Sequence, residues 1–203
     1  MNIGIIGTGN IGTALAIKWK NAGHRIIFGV RDIHTFKGKN SAEEHNIEVK
    51  TIRSTIIDSD ILVLAIPPLA IFTIIELLTD IDDKIIIDTS NSIFVKPVPY
   101  PTIYHALADK SNAQIVKCFN STGFENLINP TFGELNIDMF MAGDHPKAKD
   151  IARSLAIDCG FSKCIDFGGS DKVELLESLA FIWINLAIHQ KMGRNIGFKV
   201  LIR

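Results

Sequence analysis

The chain has 203 residues, 47% of them hydrophobic and 21% charged, with a formal net charge of −1. Those proportions suit one globular unit with a sizeable core and exclude a basic surface for nucleic acid. No apolar run approaches the roughly 20 residues that a bilayer span needs, so the expected setting is cytoplasmic, with neither nucleic acid nor membrane as partner. Cys118, Cys159 and Cys164 are odd in number and form no C-x-x-C pair, which reads as reduced, buried thiols.

Taken in chain order, Met1 to Ile6 reads as a short buried strand with no signal peptide ahead of it. "GTGNIG" follows, with Gly7, Gly9 and Gly12 in the spacing G-x-G-x-x-G. Apolar residues then recur at helical spacing until Asn21-Ala22-Gly23, and Arg25 to Phe28 gives a second strand. Strand, glycine turn, helix and strand together are the context that a dinucleotide-binding turn requires. Gly7 allows the tight turn, Gly9 lets the backbone approach a pyrophosphate, and Gly12 lets the helix pack on the strand. The helix N-terminus supplies free N–H groups and positive potential.

Ile47 to Lys50 reads as a third strand, and "DILVLAIPP" from Asp60 as a doubly covered parallel one closed by prolines. Leu69 to Leu78 is the expected crossover helix, Lys84 to Asn91 a fifth strand and Ala113 to Gly123 a sixth. Pro97, Pro99 and Pro101 impose an extended loop between the last two. Asp138 to Ala142 is a seventh apolar run, and a helix is expected from Lys147 to Cys159. The alternation predicts an α/β fold: a doubly wound, mostly parallel Rossmann-type sheet with a C-terminal helical appendage. Residues 1–203 form one NAD(P)-binding domain on this reading, with 1–167 as sheet core and 168–203 as helix and tail.

In that appendage Asp171 and Glu174 fit a capping pair. The helix they open, through "SLAFIWINLAI" (Ser178 to Ile188), is apolar on nearly every face. Such a helix must be covered on all sides. The expectation is a homodimer whose interface includes Leu179, Phe181, Ile182, Trp183 and Leu186.

The end of the second strand selects the cofactor. NAD sites place a carboxylate there for the ribose 2′-OH, whereas a 2′-phosphate calls for arginine. Here the position falls at Val30, with Arg31 next and Asp32 opposing it one residue later. NADP is favoured, with NAD possible. The six histidines show no metal-ligand spacing and read as surface or satisfied groups. No metal site and no catalytic side chain is expected. Ser90 and Asn91 either meet a ligand or satisfy a turn.

"IGIIGTGNIGTALA", "GHRIIFGVRD", "LVLAIPP", "VKCFNSTGFENL" and "GRNIGFKVL" together resemble the NADP-dependent deazaflavin reductases, the oxidoreductases of coenzyme F420. That superfamily also includes predicted dinucleotide-binding enzymes and the reductase domain of six-transmembrane metalloreductases. The resemblance implies that Thr8, Gly9, Asn10 and Ile11 contact pyrophosphate. Val30 and Arg31 match a Ser-Arg pair that holds the 2′-phosphate, with the hydroxyl missing here. Asp32 replaces a second basic residue, for which Lys37 would compensate. Ile66 and Pro67 match the strand end near the adenosine side, and Asn120, Ser121 and Gly123 the loop around the nicotinamide. Family members are dimers.

The larger hydroxyacid dehydrogenases of the superfamily place a catalytic lysine on a long helical second domain. About eighty residues follow the sixth strand here, too few for it. Direct hydride transfer between stacked rings needs no acid–base pair. The expected second substrate is therefore a small redox acceptor, a deazaflavin or flavin, lying in a pocket edged by Phe119 to Thr122 and the tail from Gly193 to Phe198. A nucleotide sensor without turnover, and a reductase of free flavin, quinone or metal chelate, stand as alternatives.

Overall fold

In the computed structural model, residues 1–78 and 84–203 are described. The chain runs β1 (Asn2–Ile6), α1 (Asn10–Asn21), β2 (Arg25–Val30), α2 (Lys39–Glu44), β3 (Glu48–Thr51), α3 (Ile52–Asp58), β4 (Ile61–Leu64) and α4 (Ile71–Leu77). It continues with β5 (Ile85–Asp88), α5 (Ile103–Lys110), β6 (Gln114–Cys118), α6 (Phe124–Ile128), a hairpin of β7 (Thr131–Phe132) and β8 (Leu135–Asn136), and β9 (Met139–Ala142). Last come α7 (Pro146–Asp158), β10 (Cys164–Asp166) and α8 (Val173–Ile184), which ends in a π-helical turn over Asn185–His189.

Eight strands form one sheet in the order β10-β9-β6-β5-β4-β1-β2-β3. The chain therefore winds outward from β1 in both directions, as a doubly wound fold does. Every described strand pair in this sheet is parallel except β6 with β9, which is antiparallel. The hairpin lies in the connection that makes this reversal.

Successive strand residues alternate between two apolar layers. Ile85 and Ile87 of β5 join α1 and α7 on one face. Ile86 joins α4, α5 and α8 on the other. Burial on both faces explains the continuous apolar runs, because each strand has no solvent side. Trp19 of α1 is fully buried between the helices of the first face and donates Nε1–H to Leu155 O at 3.0 Å.

Two expectations for the appendage are corrected. Asp171 and Glu174 form no capping pair: Ser170–Lys172 is a 3₁₀ turn, and α8 starts at Val173 without a side-chain cap. Asp144 takes the capping role, accepting from Ser170 N–H at 2.8 Å. Trp183 is no interface residue; it is buried, and its indole N–H is held by Ile196 O of its own tail at 2.7 Å. Val173, Leu176, Ala180 and Ala187 line the same inner stripe, while Leu175, Phe181, Ile182 and Ile188 stay exposed.

Candidate active site

Three backbones converge at the glycine turn. Gly7 has φ +102°, and a Cβ there would strike the carbonyl oxygen of Ala65, just past β4. A Cβ on Gly12 would strike the carbonyl oxygen of Gly7. At Gly9 the same atom would meet nothing within 4 Å. Gly12 thus lets α1 press on the end of β1, Gly7 lets that turn meet the chain leaving β4, and Gly9 leaves open space at the helix start. No acidic residue occupies the first turn of α1, and no side chain caps it. Its free N–H groups and positive end suit an anion lying over Gly9. Thr8 is buried and its carbonyl is bonded by Thr13 Oγ1 at 3.2 Å, Asn10 is exposed and Ile11 half-buried.

At the end of β2, Val30 is buried and Arg31 exposed. Arg31 makes no ion pair among the described residues. Asp32 turns back on its own loop, its Oδ1 accepting from His34 N–H at 2.8 Å. Lys37 is exposed in that loop, and Gly38 (φ +80°) sits against Thr8 and Thr13. The basic loop is therefore folded beside the glycine turn. Ile66 and Pro67 follow β4, the first buried and the second exposed.

The ends of β5 and β6 form the other half of the crevice. Ser90 Oγ and Thr89 Oγ1 donate to Leu64 O at 3.3 and 3.0 Å. Asn91 and Asn120 bridge the two loops: Asn91 Nδ2 donates to Asn120 O, and Asn120 Nδ2 to Asn91 Oδ1, each at 2.9 Å. Ser90 and Asn91 thus satisfy the turn. Phe119 is buried at φ +61°, with Trp19 edge-on to its ring at 5.4 Å. Ser121 is buried against Met139, and Gly123 is seated on the Trp183 indole, with no room for a Cβ.

The tail lies on α6 beside this loop: Asn126 Nδ2 donates to Ile196 O at 2.6 Å, and Arg194 pairs with Glu125. Arg194 also lies over the Trp183 and Phe124 rings, 5.3 and 5.7 Å from their centroids.

Beneath the loops is a buried ionic cluster. Lys117 Nζ donates to Asp88 Oδ2 at 2.9 Å, to Glu177 Oε1 at 2.6 Å and to Ser90 O. Glu177 Oε2 accepts from Ser92 N–H at 2.8 Å, and Asp88 Oδ1 from Ser90 N–H at 2.9 Å. Desolvation pushes the Glu177 carboxyl above its ordinary value, against the pull of Lys117. The cysteines are all free and buried. Burial raises Cys118 well above a normal thiol and Cys159 to about 12, so neither is a nucleophile at neutral pH. His24 is paired with Asp158 at 2.9 Å and His105 with Thr102 at 2.8 Å.

Residues 2–92 match the family model described as NADP oxidoreductase, coenzyme F420-dependent. Over this N-terminal region the chain is similar to the F420-dependent NADP oxidoreductases. It is 25% identical to the F420-dependent NADP reductase of Methanothermobacter thermautotrophicus, across 98% of this chain and 94% of that protein. The protein of the same name from Methanothermobacter marburgensis is 26% identical, with 98% of each chain covered. Among solved structures, a putative F420-dependent NADP-reductase from Arthrobacter sp. FB24 superposes with a TM-score of 0.84 at 22% identity, covering all of both chains. An imine reductase of Streptomyces aurantiacus shares the fold at 13% identity and TM-score 0.69, over 94% of this chain and 64% of that one.

The glycine turn, Arg31, the β4 end and the Asn120–Gly123 loop all lie at the C-terminal edge of the sheet, where doubly wound folds bind ligands. Asn120 and Ser121 are buried; Ser121 Oγ is engaged with Met139 and Asn120 Nδ2 with Asn91, while Asn120 Oδ1 has no hydrogen-bond partner among the described residues. The cluster of Asp88, Lys117 and Glu177 is absent from the sequence reading. Its signal was a lysine inside "AQIVKCF", because a lysine in a doubly covered strand needs a partner.

The two kinds of glycine are separable by experiment. Gly9→Val is expected to keep the fold and abolish NADPH binding in a fluorescence titration, since its side chain enters only the open space. Gly12→Val is expected to lower thermal stability as well, because it forces α1 away from Gly7. Normal NADPH binding by folded Gly9→Val would refute the assignment.

Proposed function

We propose that this protein is an NADP(H)-dependent oxidoreductase that passes hydride directly between nicotinamide and a deazaflavin or flavin-like ring. The observation that carries the reading is the open, uncapped start of α1 at Gly9, with the unpaired Arg31 guanidinium nearby at the end of β2. Gly7, Thr8, Gly9, Asn10, Ile11 and Gly12 would hold the pyrophosphate, and Arg31 the 2′-phosphate beside Val30. Ile66 and Pro67 would flank the adenosine side, and Asn120, Ser121 and Gly123 the nicotinamide. The likeness to F420-dependent NADP reductases along nearly the whole chain supports a deazaflavin as the acceptor. When both are bound, the two rings supply the redox chemistry. The protein's part is to hold the loops rigid and dry. The Asn91–Asn120 bridge and the buried Phe119 do this on the nicotinamide side.

The reading is tested with an acceptor panel of deazaflavin, riboflavin, FMN, FAD, quinones and simple carbonyls, followed by loss of NADPH absorbance. Turnover is expected with deazaflavin, and deuterium from labelled NADPH should appear on the acceptor ring carbon. Activity confined to carbonyls would mean a different substrate class, and retention of NADPH with no acceptor would mean a sensor.

Cofactor choice rests on Arg31. Asp32 is committed to His34 N–H, which turns the carboxylate toward its own loop and leaves the guanidinium to meet the 2′-phosphate. NADPH is expected to bind tighter than NADH, and Arg31→Ala to remove most of that difference, about 1.5–3 kcal/mol for a charge-assisted contact. Equal affinities in the parent protein would show that Asp32 cancels Arg31.

The outer stripe of α8 points to a second copy of the chain. Leu175, Phe181, Ile182 and Ile188 are exposed there, Leu179 and Leu186 half-buried. Phe94 packs edge-on to Phe181 at 5.9 Å and is itself exposed. Apolar area of this continuity is unfavourable in water. A homodimer is expected, with 1–203 acting as one unit and 168–203 as its pairing element. Light scattering should give the dimer mass at micromolar concentration, and Phe181→Glu with Ile182→Glu the monomer mass. A monomeric parent would sink the assignment.

A further inference from the structure

The buried cluster carries an excess charge. Lys117 contributes one positive charge, and Asp88 and Glu177 one negative charge each, so the cluster is −1 when both carboxylates are ionised. The exposed Lys96 lines the adjoining cavity of about 210 Å³ together with Glu177, but is engaged with Glu174 at 3.4 Å. Glu177 supplies acceptors for Lys117 Nζ and Ser92 N–H, a hydrogen-bonding role that a neutral side-chain oxygen could fill without a second negative charge. Lys117 with Asp88 alone is neutral, and a buried ion pair gives little stability over apolar packing. The second carboxylate adds a desolvation cost that pairing does not require.

Its place gives the cost a purpose. Asp88 closes β5, Lys117 is next to last in β6, and Ser90 and Ser92, bonded to the cluster, lie in the loop that Asn91 ties to Asn120. On the reading above, that loop pair borders the nicotinamide. The oxidised ring carries a positive charge and the reduced ring none. A fixed negative charge in a dry setting attracts the first and is indifferent to the second. We propose that the Asp88–Lys117–Glu177 cluster, through its net negative charge, favours oxidised over reduced nicotinamide, so that Glu177 sets the relative affinity for NADP⁺ and NADPH. The effect makes NADPH a stronger hydride donor on this protein. Glu177 acts on the ring through space and through its hold on Lys117 and Ser92; it is a positioning residue.

The test is the ratio of the dissociation constants of NADP⁺ and NADPH, measured by titration without any acceptor. Glu177→Gln keeps an oxygen acceptor and removes the charge; the ratio is expected to shift against NADP⁺ by roughly 3- to 10-fold. Glu134→Gln, exposed in the hairpin between β7 and β8, should leave the ratio unchanged because water and salt screen it.

The wild-type protein gives a second measurement that no folding defect can spoil. The groups facing Glu177 are Lys117 from β6, Asp88 from β5, Lys96 from the proline loop and Glu174 from α8. His105 of α5 stands behind Thr102, which lines the same cavity. Burial holds the Glu177 carboxyl above its ordinary value, so lowering the pH protonates it and erodes the preference for NADP⁺. The 2′-phosphate titrates in both cofactor forms and cancels in the ratio. The same erosion should persist in His105→Gln. A ratio that is flat with pH, or unchanged in folded Glu177→Gln, overturns the proposal while leaving the cofactor reading intact. Failure of the wild type to bind either form overturns the cofactor reading, and the proposal with it.

Discussion

Everything at the C-terminal edge of the sheet depends on how closely three stretches of backbone meet at Gly7. The Ala65 carbonyl occupies the place of one missing side chain, and the Gly7 carbonyl occupies the place of another at Gly12. Ala65 N–H bonds to Ile6 O at 2.9 Å, which ties the end of β1 to the chain leaving β4. Thr89 N–H bonds to Leu64 O at 3.0 Å and carries the tie on to β5. The floor of the crevice is therefore backbone, and α1 starts at its middle, where the strand order turns back. An anion placed there meets N–H groups already fixed by the fold, with no side chain to reorganise.

The two halves of the crevice are built on different principles. Toward β2 the charges are exposed on a loop, where any contact made by Arg31 would work against solvent screening. Toward β5 and β6 the polar groups are buried and bonded to one another. Phe119 holds a left-handed conformation there, a cost that persists only because Trp19 and the asparagine bridge over-determine it. The solvated half suits a contact that selects a cofactor, the dry half the placement of a ring.

The C-terminal helix connects this dry half to the outside of the molecule. Its inner stripe brings Glu177 to Lys117 and Ser92, and Trp183 to Gly123. Its outer stripe carries Phe181 and Ile182 into solvent. One helix thus braces the dry half of the crevice and carries an exposed apolar stripe on its other side.

The sequence by itself determined the features that local backbone chemistry controls. Glycine spacing after a strand can be satisfied by few structures, so the turn at Gly7, Gly9 and Gly12 was legible. The continuous apolar runs required strands covered on both faces, hence a doubly wound sheet. Arg31 was legible because it follows β2 directly. Tertiary structure alone decided the rest. The antiparallel placement of β9 depends on a reversal that an apolar run does not encode. Asp32 proved to be bound to His34, Asp144 rather than Asp171 supplied the cap, and Trp183 turned inward because the tail covered it. The ionic cluster joins Lys117 to Asp88, 29 residues away, and to Glu177, 60 residues away. No periodicity spans such separations; only the folding of β5, β6 and α8 onto one layer brings those charges together, and only there does burial make them matter.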